Sequence, residues 1–523
     1  MKTWRMSQRG IFRILGVLIV FLSAAPYANS QNQTKDLAGW HISYNDSLQG
    51  ANIQNALDYL HSKGKKAKKK IVVGIIDSGA DTLTTNIKGA FWTNRKEKAD
   101  GVDNDKNGYV DDIHGWNFLG TKDGTFNMTS AGTEEYRQFK RLYPKYKDVK
   151  DREEAADKAE YDYYTQMRKK AGINGYIMFY KFNSQKMVAI HMMDSIMQRN
   201  HIPTDTLSFA GLFNVEVQDT LWNGLSQMLY TDLLRTKKTE KWADYKKAQE
   251  DNLRLMRQRI EGIEKDRDKR LLMGDNLEEA DDIYYGNNTL TVDGCDHGTF
   301  VAGVVGGNGG GDPRYAGVAN GVAQLMIIRA CPDGDEYDKD VATAIRYAVD
   351  NGAKVINISL GKSQSPTPEM VNNAIAYAAK KDVLIINAAG NNSQNIDSIA
   401  YYPTGRDAAG RAYPNFIRVG SSNVKGVCSK FSNYGATNVD VLAPGEYISS
   451  AFPGDKYDMS QGTSVAAPVV SGVAALLRAY FPKLKAAEIK QLLMRTVRKT
   501  GQDDKCVSGG CIDMLNAVKE LLK

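Results

Sequence analysis

Four stretches of this chain are apolar or nearly so from end to end: IVVGII (71–76), AQLMIIRA (323–330), AKVINISLG (353–361) and VLIINAAG (383–390). A strand with one wet face alternates apolar and polar residues. A run that does not alternate has to be buried on both faces. Between the runs, residues 338–350 and 368–380 carry helical periodicity. Strands alternating with helices predict an α/β fold, a mostly parallel sheet flanked by helices. With 523 residues, the chain is long enough for one large domain with additions, or for two to three domains.

The pattern breaks between residues 121 and 280. This segment is rich in Lys, Glu, Tyr and Met and is largely helical by pattern. Trp242, Tyr245, Leu253, Met256, Ile260 and Ile263 fit one helix face, with Gly274 as the expected stop. The expected organisation is therefore an α/β domain over 71–120 and 281–523, with a helical insertion at 121–280. Residues 1–30 read as a signal peptide: a basic start, an apolar run from Ile14 to Ala25, and small residues before Gln31. That run is short for a bilayer-spanning helix, which needs ~20 residues. Export to the periplasm or the extracellular space is expected, without stable membrane insertion after cleavage. Lys2, Arg5, Arg9 and Arg13 account for four of the +7 formal charges, which leaves +3 for residues 31–523. The basic residues of the insertion are interleaved with Glu and Asp, so no nucleic-acid partner is expected. Residues 31–70 form an N-terminal lead-in, helical from Ile53 to Leu60, and its run KGKKAKKK reads as a solvated linker. Of the five cysteines, Cys506 and Cys511 flank a loop flexible enough to close a small ring.

The chemistry starts from GTSVAAPVVSGVAA (462–475). Proline is tolerated in the first turn of a helix, so Pro468 places Ser464 at a helix N-terminus, where free N–H groups favour negative charge. A serine nucleophile needs a base, and histidine titrates near neutrality. Of the six histidines, His297 stands out, because CDHGTFVAGVVGG opens a second helix thinned by Gly298, Ala302 and Gly303. Small residues on both helices predict a close approach of the serine's helix to the histidine's. Asp77 ends the first apolar run, and functional groups gather at the carboxyl ends of strands in open α/β sheets.

Asp in IIDSG, His in HGT-VAG and Ser in GTS-AAP, in that order, resemble the motifs of the subtilisin-like serine proteases (subtilases). INAAGNNS resembles the family's oxyanion-hole segment. The resemblance implies an Asp77–His297–Ser464 triad, Asn391 as the oxyanion donor, and peptide-bond hydrolysis through an acyl-enzyme. Ser359-Leu360-Gly361 resembles the strand that pairs with substrate backbone. Tyr402-Pro403 resembles the wall of the pocket for the side chain preceding the cut bond. Phe300 and Val469 stand where many members carry histidine and read as packing changes. The partners implied are protein or peptide substrates. A catalytically silent binding protein on the same fold is the alternative, and the intact triad and oxyanion motifs argue against it. The acids Asp333, Asp335 and Glu336 follow a strand that leads to the substrate rim in subtilases, and either favour basic substrate side chains or form a solvated loop.

DNDKNGYVDD (103–112) is a second motif. Asp103, Asp105 and Asn107 alternate, Gly108 permits a sharp turn, Tyr109 offers a carbonyl, and Asp111 and Asp112 follow. The spacing resembles the first half of a calcium loop, and its place after the Asp motif fits the calcium-binding habit of subtilases. Structural calcium is the expected cofactor.

Overall fold

A computed structural model describes residues 37–230, 232, 239–266 and 268–523 of the chain; the expected signal peptide and the start of the lead-in lie outside the described residues. The chain divides into a sheet unit and a helical unit, the latter running from Glu135 to Asp268.

Among the described residues, the sheet unit contains thirteen strands. They are β1 (Ile71–Asp77), β2 (Gly115–Asn117), β3 (Ser130–Gly132), β4 (Ala323–Arg329), β5 (Asp333–Gly334), β6 (Val355–Ile358) and β7 (Leu384–Ala388). Then follow β8 (Phe416–Ser422), β9 (Val441–Pro444), β10 (Ile448–Phe452), β11 (Lys456–Ser460), β12 (Arg498–Lys499) and β13 (Gly510–Cys511). Nine of them form one sheet in the order β12-β13-β9-β8-β7-β6-β1-β4-β2. Its pairings are parallel except β12 with β13. Both faces are apolar, and the period of two divides each strand between two cores. Val73 and Ile75 of β1, Leu325 and Ile327 of β4, and Leu384 and Ile386 of β7 join one core; Ile76, Met326, Ile328, Ile356 and Ile385 join the other. This is why the runs do not alternate in sequence.

Helices Asp338–Asp350 and Pro368–Lys380 contribute to the second core, at the positions their periodicity predicts. Helices Asp296–Gly306 and Thr463–Tyr480 contribute to the first and pack on each other. Thr463–Tyr480 is the one described helix long and apolar enough to cross a membrane, and 89% of it is buried as the core helix of this unit. Phe300 and Val469 are both buried in the first core. The lead-in helix runs Ile53–Ser62, and the basic residues after it are exposed. All five cysteines are free thiols; Cys511 Sγ donates to the Gly426 carbonyl at 3.2 Å, and Cys506 Sγ contacts the Gly510 carbonyl at 3.7 Å.

The helical unit is narrower than the 121–280 expected, because both flanks belong to the sheet unit. Arg270 makes buried ion pairs with Asp340 (2.7 Å) and Asp275 (2.6 Å), and Lys339 pairs with Asp275 and Asp282. The helical unit has its own cores, one around Met193, Trp222 and Trp242 and one around Phe139, Tyr146 and Tyr164. Its last helix, Trp242–Lys265, ends well before the Gly274 stop, which follows a separate turn at Lys269–Met273.

Candidate active site

β1 lies between β4 and β6, so its carboxyl end opens inside the sheet, third from one edge. Asp77 is the last residue of β1 and is 2% exposed. Its Oδ1 accepts the Ser78 N–H at 2.8 Å and the His297 Nδ1–H at 2.7 Å. A buried carboxylate is stable only with such partners. The bond also fixes the imidazole tautomer and leaves Nε2 outward, with the His297 side chain 45% exposed. Gly298 makes this approach possible, since a Cβ there would lie 1.9 Å from the Gly79 carbonyl oxygen. The Gly298 N–H donates to Ser78 Oγ at 3.2 Å, tying the helix start to the β1 turn.

The thin helices do pack together, but their glycines serve other neighbours. The nearest atoms to a Cβ at Gly303 belong to Ser450 and Ala451 of β10, and at Gly472 to Val318.

Ser464 is the second residue of helix Thr463–Tyr480. Pro468 sits past the first turn, contrary to the sequence expectation, and the site explains how. A proline removes the N–H that would bond the carbonyl four residues back, here that of Ser464. Ser359 Oγ donates to that carbonyl instead, at 2.7 Å. Asn357 Nδ2 donates to Ser359 Oγ at 2.8 Å, and Ser471 Oγ donates to Asn357 Oδ1 at 2.9 Å. The Ser464 backbone is thus fastened to the end of β6. Leu360 is buried and its carbonyl accepts from Asn387 Nδ2 at 2.8 Å, whereas Gly361 makes no backbone hydrogen bond among the described residues.

Thr463, which sequence reasoning passed over although it stands inside the GTS motif, holds Asn391 in place. Its N–H and its hydroxyl both donate to Asn391 Oδ1, at 2.9 and 3.0 Å. The hydroxyl also accepts the Gly390 N–H at 2.9 Å. With Oδ1 held from behind, the Asn391 amide nitrogen faces forward. A Cβ at Gly462 (φ +152°) would lie 3.1 Å from Ser464 Oγ and 3.3 Å from Asn391 Nδ2. The hydroxyl and the amide therefore flank one small space that only glycine leaves open. Ser464 Oγ and His297 Nε2 make no hydrogen bond among the described residues, so both are available to a reacting group.

His297 responds to two opposed influences. Burial lowers its pKa, but the Asp77 charge and hydrogen bond outweigh that and hold it above the ordinary 6.5.

Of the two expected substrate-wall residues, Tyr402 is pinned to Lys362 by paired backbone bonds at 2.9 and 3.1 Å, and its side chain lines a small cavity with Glu336, Lys362 and Val371. The ring nearest Gly361 and Gly390 belongs to Tyr401. Of the three rim acids, Asp333 is exposed, Asp335 accepts the Glu134 N–H at 2.7 Å, and Glu336 is buried, its pKa pushed up to about 7 by burial.

The acidic loop brings together a different set from the one expected. Carboxylate oxygens of Asp103 and Asp105 lie within 4.8 Å of each other and of one from Glu97, which precedes the motif. Glu97 is drawn in because its Oε1 and Oε2 accept the Asp105 and Asp111 N–H groups, at 2.9 and 3.0 Å. Asp111 turns away to accept the N–H groups of Asp100 and Gly101. Asp112 is fully buried, accepts from Asn94, Asn107 and Tyr347, and has its pKa pushed up to about 6 by burial. Asn107 Oδ1 accepts the Tyr109 N–H, and the Tyr109 hydroxyl donates to the Ile283 carbonyl. Three converging carboxylates fit a hard, oxygen-seeking cation.

The model of the subtilase family matches residues 68–509. The "Thermophilic serine proteinase" of Bacillus sp. (strain AK1) is 35% identical over 235 residues, 45% of this chain and 55% of the relative. The "Cell wall-associated protease" of Bacillus subtilis (strain 168) is 36% identical over 214 residues, 41% of this chain and 22% of the relative. "Subtilisin BL" of Lederbergia lenta is 33% identical over 221 residues, 42% of this chain and 76% of the relative. The chain thus spans about half of the first of these relatives and about a fifth of the second. A solved structure of a cold adapted subtilisin-like serine proteinase matches with a TM-score of 0.36 and 29% identity, covering 42% of this chain and 75% of that one.

Proposed function

The chain belongs to the subtilase family, and from that premise we propose that it is an exported serine endopeptidase acting through Asp77, His297 and Ser464. The observation that carries the reading is the 2.7 Å Asp77–His297 bond at the sheet's carboxyl end, with Ser464 Oγ and Asn391 Nδ2 facing one space across Gly462. Ser464 Oγ attacks the peptide carbonyl while His297 Nε2 takes its proton. The charge that develops on the carbonyl oxygen is met by Asn391 Nδ2 and the Ser464 N–H. His297 then protonates the leaving amine, and water, activated by the same imidazole, releases the acyl group. Asp77 keeps the imidazole oriented and stabilises its charged form.

Gly361, with its backbone unpaired, supports an extended substrate lying along the end of β6. The substrates are proteins or peptides. The name of the cell wall-associated relative and the leader at residues 1–30 support a periplasmic or extracellular site of action. Calcium fits the Glu97–Asp103–Asp105 cluster, where it would neutralise three carboxylates and brace the loop.

Labelling with a biotinylated fluorophosphonate tests the reading: Ser464 is modified and Ser464→Ala is not. Casein hydrolysis is lost with the same substitution. Unlabelled Ser464 in folded, mature protein overturns the assignment.

A further inference from the structure

The side chain preceding the cut bond is rooted one carbon from the attacked carbonyl, about 1.5 Å away along Cα–C. It must therefore enter the space next to Ser464 Oγ and Asn391 Nδ2. Two glycines border that space. Gly390 immediately precedes Asn391, and Gly361 follows the Ser359 that holds the Ser464 carbonyl. Both glycines face the same ring. A Cβ at Gly361 would meet Tyr401 Cε1, Cζ and Oη at 2.6, 2.9 and 2.9 Å. A Cβ at Gly390 would meet Tyr401 Cζ and Oη at 2.7 Å. The phenol thus lies between the ends of β6 and β7, where a substrate side chain would otherwise go.

The backbone on either side of the ring is held. Tyr402 is held to Lys362 by backbone bonds in both directions. Lys362 is itself buried and ion-paired to Glu134 (3.0 Å) and Asp338 (2.9 Å). On the other side, the buried Arg418 donates to the Tyr401 carbonyl at 3.4 Å and to the Pro403 carbonyl, with its guanidinium 5.8 Å from the Tyr401 ring. The backbone that carries the phenol is thus anchored at three successive residues. Burial, with the Glu336 charge adding to it, raises the phenol's pKa and keeps it neutral.

We infer that Tyr401 fills the subsite for the side chain preceding the cut bond, and that the enzyme accepts only small residues there: glycine, alanine and serine. The inference rests on the peptidase reading above and gives it a substrate class. An apolar pocket discriminates a single methylene by about 10–200-fold, and a filled one rejects an aromatic ring at least as strongly.

The test is a peptide p-nitroanilide series differing only in that residue, with active enzyme counted by fluorophosphonate titration. The expected kcat/KM for alanine exceeds that for phenylalanine by about 100-fold or more. Tyr401→Gly raises kcat/KM for phenylalanine by about 100-fold and changes that for alanine far less. Should the variant fail to fold, the wild-type profile alone decides. Titratable enzyme that cleaves after phenylalanine as well as after alanine overturns the inference and leaves the peptidase reading standing. Absence of titratable serine overturns both.

Discussion

The Ser359–Ser464–Pro468 arrangement makes a demanding prediction, because two substitutions should have opposite effects on one carbonyl. Ser359→Ala removes the hydroxyl that donates to the Ser464 carbonyl at 2.7 Å and accepts from Asn357 Nδ2 at 2.8 Å. Two buried polar groups are left without a partner. Each such loss costs about 1–3 kcal/mol, so the sheet unit should lose about 2–6 kcal/mol. Pro468→Ala restores an N–H four residues after Ser464, in helical position to bond that carbonyl. In the Pro468→Ala background, Ser359→Ala should therefore cost about 1–3 kcal/mol less, since only the Asn357 amide is still stranded. The assay is a double-mutant cycle by urea denaturation on inactive Ser464→Ala protein, which prevents self-digestion. kcat on a chromogenic peptide in the active versions should follow the same order, because the carbonyl belongs to the nucleophile's own residue. An identical cost of Ser359→Ala in both backgrounds would refute the idea that its hydroxyl replaces the helical donor lost at Pro468.

Four further outcomes follow from the site. Asn391→Ala should lower kcat by about 10²–10³ with KM nearly constant; Thr463→Val should lower it less, be rescued by Thr463→Ser, and add little to Asn391→Ala, whereas additive losses would deny that Thr463 works through the Asn391 amide. Asp77→Asn should lower kcat by about 10⁴ while the melting curve stays cooperative, and a loss under tenfold would remove Asp77 from the triad. The raised His297 pKa puts the acid limb of kcat/KM above 6.5, with activity falling as pH drops through it. The same shift makes the charged His297–Asp77 pair a stabilising contribution that is fully present below 6.5 and lost as pH rises through the folded-state value; a limb centred below 6 would contradict both statements. Calcium should raise Tm, with the response weakened by Glu97→Gln and Asp105→Asn but not by Asp111→Asn, and indifference to a chelator would rule the ion out.

The sequence by itself determined the sheet, because strands buried on both faces cannot alternate and so betray themselves as continuous runs. It also singled out the candidate reacting residues, because each motif is local: the Asp at a strand end, the His and Ser at helix starts, and the Asn after a strand. The helical insertion was visible as a change of pattern, but its edges were not. Arg270 and Lys339 tie the flank after the helical unit to the sheet unit through ion pairs with partners up to 70 positions apart, and charge partners that distant leave no periodic trace. Only the tertiary structure decided which neighbours finish the site. Glu97 enters the acidic cluster through backbone N–H groups of the loop. Asp111 and Asp112 leave it because other donors claim them first. Tyr401 rather than Tyr402 faces the glycines because the paired backbone bonds to Lys362 fix which way each ring points. Pro468 sits past the first turn because a hydroxyl from β6's end supplies the missing hydrogen bond. Motifs record what a residue does to its substrate, whereas hydrogen-bond partners and steric limits are set by whichever atoms folding brings within 3 Å.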